Sequence, residues 1–365
     1  MENQQRKKLI ESLRNITDSE IWEFHKQKNK TIPDKLYRYR GLSSQEEREQ
    51  NLQTLFGDYF KSLGRKHHVV WLSDPKCFDN EGQEVDTQIS FRDEIIQKYI
   101  LFQLYRKELV KYLGMESAIQ FHENILRETT QSDEILQYQK SELSRRIAED
   151  SKIPDRELYF NQLQEKSTEL IPYCKKKNRD RITNGLAVAC FSETKYSDYM
   201  WKHYAADGNG FCLEYDMTRL RLTDCQRYEM YPVRYQDEPT DLDRLLKPDY
   251  DRQAWSSQIL MAILTKKTQY HKEKEWRFVL GNCGYDKNED GTEKRGLTFP
   301  FIKPTTIYLG PNISEDNKNR LLNIGQKLGI RIGALEKNSE PDSYRETIIH
   351  EPDPALNRLR VNPPL

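Results

Sequence analysis

The sequence predicts an α+β fold: a central mixed, mostly antiparallel sheet, with helices at the N-terminus and an all-helical insertion. Three observations predict it. Short runs of β-branched and aromatic residues recur at Leu36-Tyr37-Arg38-Tyr39-Arg40, His68 to Ser73, Leu186 to Phe191, Phe211 to Tyr215, Glu275 to Leu280 and Thr306 to Leu309. Such runs favour pleated, half-buried strands. From Asp93 to Lys177 the apolar residues Ile95, Ile96, Tyr99, Ile100 and Leu104 open a stretch of helical spacing that is almost without glycine. At the start, Leu9 and Leu13 stack on one helical face, and Thr17 with Glu20 forms a capping box flanked by Ile16 and Ile21.

The elements follow in order. A second helix begins near Asp18 and ends before the turn Ile32-Pro33-Asp34. After the first strand, Ser43 and Ser44 cap a helix expected to run to about Leu63. The next strand stops at Asp74-Pro75, because proline has no N–H to donate to a sheet ladder. Within the helical stretch one helix opens at Ser132-Asp133-Glu134 and another at Pro154, a favoured first helical residue. Leu186 to Phe191 is a continuous apolar run, as in a fully buried strand. Asp207-Gly208-Asn209-Gly210 turns the chain into the following strand. Val233-Arg234-Tyr235, a helix over Ala254 to Lys267 and the Glu275 strand come next, and a strand, a helix opened by Ser314 and Ile330-Arg331-Ile332 close the core. Pro352, Pro354, Pro363 and Pro364 mark a loose tail. The expected division is N-terminal helices and first core strands over 1–92, the helical insertion over 93–178, the rest of the core over 179–340 and a tail over 341–365.

Composition narrows the function classes. The chain carries 58 Lys+Arg against 58 Asp+Glu. This balance argues against nucleic acid as the main partner, since phosphate neutralisation needs a basic excess. No apolar run approaches the ~18–20 residues that cross a bilayer, so no membrane association is expected. The opening residues lack the apolar stretch of a secretory signal, and a cytoplasmic location is expected. The six cysteines, Cys77, Cys174, Cys190, Cys212, Cys225 and Cys283, form no CxxC pair and no zinc spacing. They read as free thiols, and no metal site is expected from them.

A set of ordered segments carries a family resemblance: Leu36-Tyr37-Arg38-Tyr39; Leu72-Ser73-Asp74-Pro75 with Phe78-Asp79-Asn80; Cys190-Phe191-Ser192; Met200-Trp201-Lys202-His203-Tyr204; Gly208 to Asp216; and Lys272 to Arg277. Together they resemble the bacterial domain-of-unknown-function family 2971 (DUF 2971) over about Leu36 to Gly310, interrupted by the helical block. The family pattern has Asn-Asp-Pro after the Phe, whereas Phe78 is followed here by Asp79-Asn80-Glu81. The sequence of an aromatic-basic first strand, a central serine-bearing strand and a late Glu-x-Glu strand also resembles the layout of the ADP-ribosyltransferase superfamily. That resemblance implies NAD as substrate and a transferase activity, and family association implies an intracellular toxin or an antiviral, phage-defence effector.

The residues that would carry this chemistry can be placed on faces. With a strand period of two, Glu275 and Arg277 share one face and Trp276, Phe278 and Leu280 the other, buried one, while Glu273 joins the polar face if the strand starts early. A carboxylate fixed in a water-poor cleft stabilises the positive charge that develops on ribose as nicotinamide leaves. This makes Glu275 and Glu273 the catalytic candidates; the alternative is a solvated face of weak ion pairs. Tyr37 and Tyr39 face one side of the first strand and Arg38 and Arg40 the other. Arginine forks bind phosphate and tyrosines sandwich a nicotinamide or adenine ring, so all four, with Arg277, are NAD-binding candidates. Their plain alternative is an edge strand. Four further NAD-binding candidates are Trp201 and Tyr204, which share one face of a helical turn before the Gly208-Asn209-Gly210 hairpin or simply pack beside it, and Ser73 and Ser192, which end apolar strands, where a hydroxyl can meet a ligand or simply close a turn. Two other functions fit the sequence. A metal-dependent nuclease or hydrolase would use Asp79, Glu214 and Glu275, and a non-enzymatic sensor or interaction module would present the helical insertion to a protein partner.

Overall fold

A computed structural model of the chain describes residues 1–16, 18–60, 65–77, 89–148, 150, 152–246, 252–281, 283–288 and 290–352. Ten strands join in one sheet. They are β1 (Lys35–Gly41), β2 (Val69–Ser73), β3 (Ala187–Ser192), β4 (Gly210–Asp216), β5 (Met230–Pro232), β6 (Glu275–Leu280), β7 (Gly296–Pro300), β8 (Thr306–Leu309), β9 (Arg331–Lys337) and β10 (Tyr344–His350). The spine runs β5-β6-β3-β1-β4-β8-β9-β10, antiparallel throughout except for β8 with β9. The fold is α+β, with the mixed and mostly antiparallel sheet that the strand signals predict.

The sheet forks at β3. Ser192, at the C-terminal end of β3, pairs with Tyr37 of β1. Val188, near the other end, pairs with Ser73 of β2, and β2 pairs onward with β7. One edge of β3 therefore serves two strands, and β1 leaves β3 directly after the Tyr37–Ser192 pair.

Alternation along the strands sorts side chains between two faces. Phe191, Phe211, Leu213, Trp276, Phe278, Ile307 and Ile332 build the main apolar core on one face, closed by Leu52 and Leu55 of the Gln45–Leu55 helix and by Leu321 and Ile324 of the Glu315–Leu328 helix. On the other face, Val188 and Val279 pack against Ile10 and Leu13 from the N-terminal turn of chain and against Ile96 and Ile100 of the helical block. Beside them the face becomes polar, with Glu275, Arg277, Ser192, Tyr37 and Glu214.

The helical block consists of Asp93–Leu113, Met115–Glu128, Ser132–Ile147, Arg156–Glu169 and Ile171–Thr183, with no strand among its described residues. Its own core is Leu101, Tyr105, Leu109, Leu143, Ile147 and Leu163. It leaves the sheet after β2 and returns at β3, two strands that are paired, so the sheet order is unbroken across it. No helix among the described residues is long and apolar enough to cross a membrane. All six cysteines are free thiols.

Three elements depart from expectation. The helix capped by Ser44 stops at Leu55 rather than near Leu63. Gly57 follows at φ 74°, with room for no side chain, because a Cβ there would lie 2.2 Å from the His67 carbonyl oxygen. That close backbone approach makes a hairpin, Asp58–Phe60 with Arg65–His67. The Ala254–Lys267 helix ends at Ile263, and Thr265–Lys266 pairs instead with Arg234–Tyr235. The expected tail from 341 contains β10, in which Thr347 and Ile348 pair with β9; the prolines that signalled a tail lie just beyond it, and those after Pro352 fall outside the described residues.

Trp276 is fully buried, and its indole N–H donates to Glu193 Oε1 at 2.8 Å. Trp276→Ala is expected to cost ~3–5 kcal/mol in urea unfolding, as large aromatic truncations in cores do. A loss below about 1 kcal/mol, the range of surface substitutions, would contradict this assignment of faces.

Candidate functional site

A single row of residues crosses the polar face. Glu275 of β6, Ser192 of β3, Tyr37 of β1, Glu214 of β4 and Thr306 of β8 are successive Cα partners. Partners in register project from the same side of a sheet. With strands ~4.8 Å apart, Glu275 and Tyr37 sit about 10 Å apart at their backbones. Residues more than 200 positions apart in sequence thus become near neighbours, because β3 comes between the first strand and the late Glu-x-Glu strand.

Glu275 lies in a closed cluster of charges. Arg277 Nε donates to its Oε1 at 2.7 Å and Arg277 Nη2 to its Oε2 at 3.2 Å. Lys266 Nζ lies 3.4 Å from the same Oε2 and 2.6 Å from Glu273 Oε2. Tyr204 donates its hydroxyl to Glu273 Oε1 at 2.9 Å, and Ser192 Oγ donates to the Glu273 carbonyl at 2.8 Å. The Glu275 N–H is received by the Tyr235 hydroxyl at 2.7 Å. Arg6 completes the cover, donating to the Glu275 carbonyl at 2.6 Å and to Glu193 Oε1 at 2.6 Å.

This arrangement corrects the expected exposure of the face. Glu275 is 3% exposed and Arg277 is fully buried, so the carboxylate neither meets solvent nor faces an open cleft in this conformation. Two acids and two bases neutralise one another, which is what lets four ionised groups leave water together. Burial alone would raise the Glu275 carboxyl, but Arg277 and Lys266 outweigh it and hold it well below the ordinary carboxylate range. The group is an anion at neutral pH.

The row continues into a second polar cluster. Glu214, 3% exposed, accepts from Lys35 Nζ at 3.0 Å, Thr305 Oγ1 at 2.9 Å, the Tyr37 hydroxyl at 3.3 Å and the Tyr308 hydroxyl at 3.1 Å. Lys195 Nζ donates to the Tyr308 oxygen at 2.7 Å and pairs with Glu346 at 2.7 Å. Burial first, then the Glu214 carboxylate, pushes the Tyr37 phenol well above its ordinary value.

The remaining sequence candidates divide. Trp201 is core: its ring meets Tyr39 edge-on at 5.0 Å and its N–H donates to the Lys195 carbonyl at 2.9 Å. The helix Asp198–Tyr204 therefore bridges the two halves of the row, touching Tyr39 with Trp201 and Glu273 with Tyr204. Arg38 and Arg40 emerge on the opposite, apolar face, as strand alternation requires. Arg38 does not reach solvent there. It lies over Phe191 at 5.5 Å and crosses the fork to donate from Nη2 to the Trp71 carbonyl at 2.6 Å. Its Nε and Nη1 are buried without a partner, and burial, then Arg40, lowers its pKa to about 9. Arg40 donates to the Tyr39 carbonyl at 3.2 Å. Ser73 is not brought to the row: it pairs with Val188, four residues from Ser192 along β3, about 13 Å away.

Sequence reasoning missed Lys266, Tyr235 and Arg6. Lys266 falls within the span expected as helix, Ala254 to Lys267, and a lone Arg in a basic N-terminal stretch gives no local sign of a buried partner. Of the acids a metal-dependent reaction would use, Asp79 lies outside the described residues. Glu214 and Glu275 are three strand spacings apart, about 14 Å. Among the described residues no group of three or more His, Cys, Asp or Glu side chains is placed to hold one ion.

Lys266→Met removes one base from the buried cluster and leaves a carboxylate uncompensated. Urea unfolding at pH 7 should show a loss of about 3–5 kcal/mol; a loss within about 1 kcal/mol would show the cluster to be solvated. The pH dependence has a definite sign. A carboxyl depressed on folding stabilises the fold above its unfolded pKa of about 4.5 and loses that contribution as pH falls below it. Wild-type stability should therefore drop between pH 5 and pH 3 more steeply than that of Glu275→Gln; equal slopes would remove Glu275 from the account.

Comparison with known families fits the centre of this site. Residues 200–278 match the model of a family described as a protein of unknown function (DUF2971). The matched span holds Tyr204, Glu214, Lys266, Glu273, Glu275 and Arg277. No curated protein and no solved structure matches the chain. In its residues 200–278 the chain is similar to the DUF2971 family.

Proposed function

We propose that the chain is an NAD-using transferase of ADP-ribosyl type, with the nicotinamide–ribose end of NAD held along the row Tyr37–Ser192–Glu275. The observation that carries this reading is the register: the Glu-x-Glu strand, the serine strand and the aromatic-basic strand are immediate neighbours, with these three residues in one line. In the reaction, the bond between ribose C1′ and the nicotinamide nitrogen breaks and its electron pair leaves with nicotinamide. An acceptor nucleophile then bonds to C1′ and gives up its proton. A carboxylate kept ionised and fixed in place, as Glu275 is by Arg277 and Lys266, is suited to stabilise the positive ribose between these events. Arg277 then acts by orienting Glu275.

Arg38, beside the fork on the opposite face of the sheet, keeps two donors that no protein group satisfies, but it lies across the sheet from this row and is not assigned to the NAD site. Glu273 and the turn Thr268–Glu273 cover Glu275, so substrate entry requires that turn to move. Lys274, in the left-handed region at φ 46°, joins the turn to β6 and is the natural joint. Consumption of NAD or modification of a cell component would suit a toxin or an antiviral defence effector.

Release of nicotinamide from NAD, with cell lysate as acceptor source, tests the reading. Glu275→Gln should lower turnover by about 100- to 1000-fold, the effect of losing a fixed electrostatic stabiliser. Because glutamine leaves Arg277 short of its counter-charge, circular dichroism should first establish a folded variant, and Glu275→Asp, which keeps the charge, should retain more activity. Equal turnover in wild type and folded Glu275→Gln would sink the proposal.

A further inference from the structure

The helical block contains a cavity of about 350 Å³, lined by none of the residues of the row on the sheet. Its apolar part is formed by Tyr99 and Phe102 of the Asp93–Leu113 helix, Leu136 of the Ser132–Ile147 helix and Leu246 from the core. Its polar part includes Lys98 and Asp133. The spacing explains the arrangement: residues 98, 99 and 102 lie on one helical face, so the lysine stands beside the two rings. Lys98 Nζ is 2.9 Å from Asp133 Oδ1 and 3.1 Å from Glu94 Oε1, which raises its pKa and keeps it charged. Phe102 and Leu246 are buried, whereas the two carboxylates are largely exposed.

We propose that this cavity binds a zwitterionic amino acid with an apolar or aromatic side chain. Lys98 and Asp133, one cation and one anion side by side on the cavity wall, complement a ligand that carries one carboxylate and one ammonium close together. The ligand carboxylate would meet Lys98, its ammonium would meet Asp133, and its side chain would fill the space against Tyr99, Phe102 and Leu136. The volume sits at the lower end of small-molecule pockets, which run from ~300 to ~1,000 Å³. It suits one amino acid and is small for a dinucleotide, so this site is separate from the proposed NAD site. Leu246 belongs to the Asp243–Leu246 turn, and Asp243 accepts the Arg92 N–H at 2.8 Å. The cavity therefore lies where the helical block is fastened to the sheet domain.

Calorimetric titration of the full chain with L-phenylalanine tests this site. 3-Phenylpropionate, which lacks the ammonium, and phenethylamine, which lacks the carboxylate, serve as controls. L-Phenylalanine should bind, with each control at least ~10-fold weaker, about 1.4 kcal/mol. Lys98→Met, at a partly exposed position, should weaken L-phenylalanine binding by a similar factor while the melting temperature of the free protein stays unchanged. Leu136→Trp should abolish binding by filling the space. The proposal is overturned if L-phenylalanine does not bind at about 10 mM, well above a millimolar Kd. It is also overturned if either control binds as well, or if Lys98→Met binds like wild type. These outcomes are independent of nicotinamide release.

Discussion

Four buried charges, Glu273, Glu275, Lys266 and Arg277, tie the sheet to everything that covers its polar face. The four side chains come from three local settings: two from β6, one from the last residue of a 3₁₀ turn and one from the short Thr265–Lys266 strand. None could be taken out of water alone, because an isolated buried charge costs several kcal/mol. Together they balance, and Tyr204, Ser192 and Tyr235 satisfy further polar groups around them. Arg6 adds the N-terminal helix by donating to the Glu275 and Val233 carbonyls. The cluster specifies how seven separate segments meet as well as contributing to stability.

Its position gives it a chemical meaning. Had β6 paired elsewhere in the sheet, Glu275 would be one more compensated carboxylate. Instead β3 sets it in register with Ser192 and Tyr37, at the point where the sheet splits. The fork leaves Arg38 reaching across a gap toward Trp71 with two donors unused. A fixed anion, a hydroxyl and an aromatic ring thus line up on one face of the sheet, with Arg38 and its spare donors beside the fork on the other. The same packing shields Glu275 from water, so under the proposed function substrate would reach it only once the turn Thr268–Glu273 moved.

Much of the fold could be read directly. The continuous apolar run at Leu186 to Phe191 became the buried β3, and alternation of Glu275 and Arg277 against Trp276 and Phe278 assigned the two faces of β6. The glycine-poor, helically spaced stretch after Asp93 became five helices. What escaped reading depended on distant partners. Charged residues on a strand suggest a solvated face, and nothing local to Glu275 announces that Lys266, Tyr235 and Arg6 will enclose it. Lys266 was hidden because a Leu-Thr-Lys-Lys stretch continues a helix as plausibly as it starts a strand; its pairing with Arg234–Tyr235 decides the matter. β10 is masked by the prolines that follow it and by its own charges, since an edge strand can carry polar residues freely. The row itself was legible only as three strand types in order; its register is a property of the folded sheet.

The central claim is that Glu275, Ser192 and Tyr37 face one bound molecule. A crystal structure of the Glu275→Gln variant with NAD measures this most directly, because the substitution slows turnover while keeping the shape of the side chain. The account predicts the nicotinamide ribose beside residue 275, its hydroxyls within hydrogen-bond reach, ~2.6–3.2 Å, and the turn Thr268–Glu273 displaced. NAD bound away from this row, with the turn still closed over residue 275, would contradict it.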